Sequence, residues 1–136
     1  MTEQYYKSVQ CFIDQYDNYT LNRTPSGPKV EENMPDTMGM KTAFKAYKRR
    51  EIINGVPELK LPSLEMFDND QLFFLSFANL CETRDSKAIE EELPMHSIGP
   101  LRSIGAFSNN QDFAETFSCP LGSPMNPKKK CNIWKI

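Results

Sequence analysis

The sequence predicts a mainly α-helical protein, built of short helices joined by long connectors. Two observations are periodic. Tyr5, Val9, Phe12, Ile13 and Tyr16 recur at helical spacing, and so do Met40, Ala43, Phe44, Tyr47 and Ile52. The third is punctuation: the stretches between such segments are rich in Pro, Gly, Asn and Ser, which favour turns over regular structure.

In chain order, a first helix is expected from Thr2 to about Asn18, followed by a loop from Thr20 to Lys29. A second helix is expected from about Glu32 to Ile52. Pro35 fits it only within the first turn, where no N–H donor is needed, so the helix should begin close to Glu32. Asn54-Gly55 and Pro57 end it. Pro57 to Phe67 reads as an extended connector. Asp68 then caps a third helix, about Asn69 to Arg84, with Gln71 as its reciprocal partner. That helix is apolar nearly all round, as helices buried in a larger body are. Phe73, Phe74 and Phe77 should therefore divide between two sides, one of them incompletely covered. A short acidic helix is expected over Ser86–Leu93 and an irregular stretch over Pro94–Gly105. Asn109 should cap a last short helix through about Phe117. From Cys119 the chain reads as a Pro- and Lys-rich tail.

Composition narrows the function classes. A net charge of −2 supplies no basic footprint for nucleic acid and no polybasic membrane patch. No apolar run approaches the ~20 residues of a membrane helix. The opening Met1-Thr-Glu-Gln-Tyr-Tyr lacks a charged-then-apolar leader, whereas Asn18-Tyr19-Thr20 and Asn22-Arg23-Thr24 are glycosylation sequons of the secretory pathway. Cys11, Cys81, Cys119 and Cys131 do not have paired zinc-ligand spacing. They read as disulfides, in any of three connectivities, or as buried thiols.

Few residues offer chemistry. Glu32 and Asp36 lie four apart at a helix start, so both carboxylates face one way near the positive helix end. His96 is the only histidine, and Arg102 follows six residues later. A histidine and an arginine at a reaction centre can stabilise a developing oxyanion.

The order of these residues adds a resemblance. Glu32-Asn-Met-Pro-Asp36 and Gly39-Met-Lys-Thr-Ala-Phe-Lys-Ala-Tyr47 are similar to the Glu-Asn-Ile-Ala-Asp…Gly-Leu-Lys-Ala-Ala-Tyr-x-Ala-Tyr stretch of the neprilysin and endothelin-converting enzyme family of zinc metalloendopeptidases. Asp70-Gln-Leu-Phe-Phe-Leu-Ser-Phe-Ala78 with Cys81 resembles a buried helix of that family. His96-Ser97, Arg102 and Ile104-Gly105 resemble its His-Ser-Pro-x-x-Phe-Arg-Val-x-Gly loop. Asn109, Phe113, Phe117 and Cys119, then Gly122-Ser-Pro-Met-Asn-Pro127 and Cys131-Asn-Ile-Trp134, resemble its closing signature. Departures are Glu31 for a glycine, Pro35 for an alanine, Met38 for a glycine, Ile98 for a proline, and Lys135-Ile136 beyond the tryptophan.

The resemblance implies that residues 1–136 are the C-terminal part of a gluzincin, thermolysin-like helical catalytic domain. It implies Glu32 as a zinc ligand and Asp36 as the carboxylate behind a zinc histidine. It implies His96 as the oxyanion stabiliser and Arg102 as the arginine that reaches the substrate backbone. It further implies a peptide substrate, an extracellular or membrane-anchored setting, and a Cys11–Cys131 disulfide, with Cys81 and Cys119 paired to upstream segments. With a single histidine, the chain cannot contain the family's His-Glu-x-x-His motif, which carries two zinc ligands and the general-base glutamate. The isolated chain is therefore expected to be inactive, as part of a larger endopeptidase. The alternative is a short non-catalytic paralogue that binds a peptide or a partner.

Overall fold

A computed structural model describes residues 2–19, 24–56, 58–82 and 95–133. Helix α1 spans Glu3–Asp17. Phe12 and Tyr16 are fully buried, with Tyr5, Val9 and Ile13 packed around them, so the periodic face read from sequence is the face that packs. Asp17 accepts a 2.8 Å bond from the Ser26 N–H and so pins the chain where it returns toward α2.

A 3₁₀ turn, Gly27–Lys29, runs directly into α2, Val30–Asn54. The helix thus begins earlier than expected, and Pro35 lies at its sixth residue, beyond the first turn. Its missing N–H leaves the Glu31 carbonyl without the usual helical donor. The packed 3₁₀ turn supplies the extra helical start, and Val30 and Met34 anchor it in the core. At the other end Gly55 adopts φ +69°, and its N–H bonds to the Glu51 carbonyl at 3.1 Å, a left-handed termination suited to glycine.

Helix α2 serves two cores in succession. Val30 and Met34 join Phe12, Tyr16, Leu101 and Cys131, while Met40 and Phe44 join Phe74, Ala106, Phe107 and Phe113. The expected apolar side is only partly used: Ala43 is exposed although its neighbour Phe44 is buried, and Ile52, near the end of the helix, is 80% exposed.

Helix α3, Asn69–Glu82, starts with the expected reciprocal cap. Gln71 N–H donates to Asp68 Oδ1 at 2.7 Å, and Asp68 N–H donates to Gln71 Oε1 at 3.0 Å. Phe74 is buried at the centre of an aromatic cluster, with ring centroids 4.8 Å from Phe44 and 5.3 Å from Phe113. Phe73 and Phe77 are only half-buried, and Leu75 and Leu80 face outward. The helix is covered on one side, as its all-round apolar character implied. The acidic helix expected over Ser86–Leu93 lies outside the described residues.

Two sequence expectations do not hold in the C-terminal half. Residues of the supposedly irregular Pro94–Gly105 stretch form α4, Gly99–Ser108. Pro100 sits at the second helical position, where a missing N–H costs nothing, and Leu101, Ala106 and Phe107 turn into the cores. The cap of the last helix, α5 (Gln111–Thr116), is Asn110 rather than Asn109. Asn110 Oδ1 accepts from the N–H groups of Asp112 and Phe113 at 2.9 and 3.3 Å.

Asn109 instead ties three segments. Its Nδ2 donates to Gln15 Oε1 and the Gly105 carbonyl at 2.7 and 3.0 Å, and its Oδ1 accepts the Cys131 N–H at 2.7 Å. The tail is thereby held against α1, where Cys11 and Cys131 form a disulfide with Cα atoms 5.7 Å apart. This is the pairing implied by the resemblance. Cys81 and Cys119 are half-buried thiols.

Candidate functional site

Glu32 and Asp36 occupy consecutive turns of α2, on the side that faces α4 and the segment before it. His96 lies just ahead of α4, and Arg102 is that helix's fourth residue. The fold therefore brings all four candidate residues to one place, although Asp36 and Arg102 are 66 positions apart.

The Arg102–Asp36 contact is a two-pronged fork. Nε donates to Asp36 Oδ2 at 2.6 Å and Nη2 to Oδ1 at 2.7 Å. Such a pair fixes both planes as well as the separation. The Asp36 side chain is only 12% exposed, and its carboxylate raises the Arg102 pKa above the usual arginine value. Beside this pair, His96 Nε2 lies 3.3 Å from Glu32 Oε2. The other ring nitrogen, Nδ1, is buried without a protein partner. Nε2 is therefore the ring nitrogen that faces an acceptor. The Glu32 carboxylate is the most open of the four groups, with its side chain 43% exposed.

Beneath the pair lies a residue that sequence reading assigned only to the core, Tyr16. Burial pushes its phenol well above the usual tyrosine pKa, and Tyr19 and the Asp36 carboxylate add to the shift. A buried tyrosine within an apolar face is the only signal the sequence offered for it.

Among the described residues, no group of three or more His, Cys, Asp or Glu side chains could hold a metal ion. Glu32 offers one accessible carboxylate of the type that zinc takes. Among the described residues this donor set could supply fewer than three ligands to a metal.

The model of peptidase family M13 matches residues 1–133. The chain belongs to peptidase family M13. This M13 chain is 40% identical over 137 residues to endothelin-converting enzyme 1 of Rattus norvegicus, covering 97% of this chain and 18% of that protein. It is 44% identical to an endothelin-converting enzyme homolog of Locusta migratoria, of which it covers 19%. It is 39% identical to Neprilysin-3 of Drosophila melanogaster, covering 17%. The M13 chain thus spans less than a fifth of the length of these relatives. The family is one of metalloendopeptidases, which agrees with the resemblance carried by the motifs. No described helix is long and apolar enough to cross a membrane.

Proposed function

We propose that this chain is the C-terminal part of a zinc-dependent metalloendopeptidase and supplies one wall of its catalytic site. The observation that carries the reading is the convergence of Glu32 and Asp36 on α2 with His96 and Arg102 around the start of α4. In this reading Glu32 and two histidines of a His-Glu-x-x-His segment, contributed by the remainder of the enzyme, would hold a zinc ion. The ion would supply Lewis acidity for peptide hydrolysis.

This chain's own residues orient and stabilise. Asp36 already accepts two bonds from Arg102, yet each carboxylate oxygen has a second lone pair, so it can also accept from a zinc histidine and fix that ring. Arg102 spends one N–H of Nε and one of Nη2 on Asp36. Its remaining guanidinium N–H groups are left for a substrate carbonyl. His96 presents Nε2 beside Glu32, where an N–H can meet negative charge developing on the carbonyl oxygen. The disulfide supports an oxidising setting outside the cytosol, and the exposed Asn18 is a candidate glycan site there.

Two measurements test this. The 136-residue chain, supplied with zinc and a pool of short peptides, should show no turnover. Chelator-sensitive hydrolysis lost in Glu32→Ala would overturn its proposed incompleteness. In a version extended upstream to include a His-Glu-x-x-His segment, Glu32→Gln should strip zinc and activity together, and Asp36→Asn should weaken zinc affinity or activity ~10–100-fold. Normal zinc content and turnover in Glu32→Gln would overturn the ligand assignment.

A further inference from the structure

We propose that Tyr16 and Gly105 form a steric lock that positions Arg102 against Asp36, and that both are positioning residues of the site. Their meaning for catalysis rests on the peptidase reading, but the contact itself does not. Arg102 and Gly105 lie three residues apart on α4, so they share one side of the helix. At Gly105 the helix backbone lies directly on the phenol of Tyr16. A Cβ added there would collide with the C–O end of the phenol, against its hydroxyl, Cζ and Cε2. Gly27, Gly39, Gly55 and Gly122 meet no neighbour so closely.

The ring has no room to yield. Tyr16 is 0% exposed, packed in one core cluster with Phe12, Leu101 and Met34, and held edge-on by Tyr19 at a centroid distance of 5.5 Å. The contact therefore sets the height of α4 above α1. One turn back along α4, that height sets where the Arg102 fork meets α2. The fork tolerates little error, because both of its bonds are already short, at 2.6 and 2.7 Å. The electrostatic influence of both Asp36 and Arg102 on the Tyr16 phenol agrees with this three-helix junction. Glycine at 105 is thus required by the approach of a ring, not by a special backbone angle, since the residue lies within α4.

The test is the Arg102 Nε–H resonance of the oxidised 136-residue chain, read by NMR as its downfield shift and its slow exchange with solvent. In the parent chain the Nε proton, held on Asp36, should be shifted downfield and protected. Gly105→Ala should abolish both signatures. Tyr16→Leu should also abolish them, by leaving α4 unsupported without any clash. The double variant, Tyr16→Leu with Gly105→Ala, should restore them in large part, because the new methyl occupies space the ring gave up. Phe113→Leu, in the other core cluster, should lower the melting temperature while leaving both signatures in place. An unchanged Arg102 signal in Gly105→Ala or in Tyr16→Leu would overturn the lock. So would a double variant no better than the singles, or a Phe113→Leu that erases the signal equally. If Gly105→Ala does not fold, Tyr16→Leu and the double variant decide the matter. No readout uses zinc or peptide, so failure here and failure of the peptidase reading are separately visible.

Discussion

Two cores share helix α2 and are held by different physics. The first joins α1, the start of α2, α4 and the tail. It is tied by the Cys11–Cys131 bond and by the directional contacts of Asn109, Gln15 and Ser108. The second joins the later part of α2 with α3, α4 and α5. Its substance is rings: Phe44, Phe74, Phe107 and Phe113, with Phe107 and Phe113 stacked 4.6 Å apart. The candidate site stands over the first core. Covalent and hydrogen-bonded ties act along fixed directions, whereas the phenylalanine cluster contributes mainly buried apolar area. A site that needs Arg102 placed on Asp36 to within a few tenths of an ångström is built where the directional ties are.

The contrast can be broken from either side. Reducing the disulfide in the native chain should have the largest effect. The bond closes a loop with a sequence separation of 120, and the chain-entropy model credits such a closure with about 4–5 kcal/mol. Denaturant unfolding with and without reductant measures it, and a midpoint unmoved by reduction would show that the tail is held without the bond. Next, Phe74→Ala should cost roughly 3–5 kcal/mol, as large-to-small changes at buried aromatics do. The Arg102 NMR signature should survive in whatever fraction stays folded, and its loss there would merge the two cores into one.

Asn109→Ala should cost about 1–3 kcal/mol, because it leaves the buried Cys131 N–H without an acceptor. Hydrogen exchange at that amide should speed up more than exchange at Phe113. Equal acceleration at both would mean Asn109 is not specific to the first core. The smallest effect belongs to Lys48, which bridges Glu51 and Asp70 on the surface of the second core. With its side chain 41% exposed, Lys48→Met should change stability by no more than ~1 kcal/mol. A larger loss in a thermal melt would show that charge, beyond rings, holds α3 to α2.

What the sequence revealed follows the same division. Local signals were legible: the buried face of α1, the Asp68–Gln71 cap and the left-handed stop at Gly55 all depend on residues within one or two turns. Helix α4 was hidden because Gly99, Pro100 and Gly105 resemble breakers. Their tolerance depends on position within the helix and, at Gly105, on a ring from α1. Asn109 and Asn110 are chemically identical neighbours, and only the path of the backbone decides which one caps. Ile52 continues the apolar period of α2, yet periodicity does not say which positions find a packing partner. Glu32, Asp36, His96 and Arg102 were nominated by resemblance, but the fork between Asp36 and Arg102 spans 66 positions and needed the fold.

The bond between Cys11 and Cys131 also changes what breaking the chain means. A protease that cuts one peptide bond anywhere between them leaves a single molecule, heavier by one water and separable into two pieces only after reduction. Mechanical load behaves likewise. A pull applied outside the two cysteines passes directly from one sulfur to the other. The helices between them, with the whole candidate site, lie off the line of force and stay folded while the ends are drawn tight.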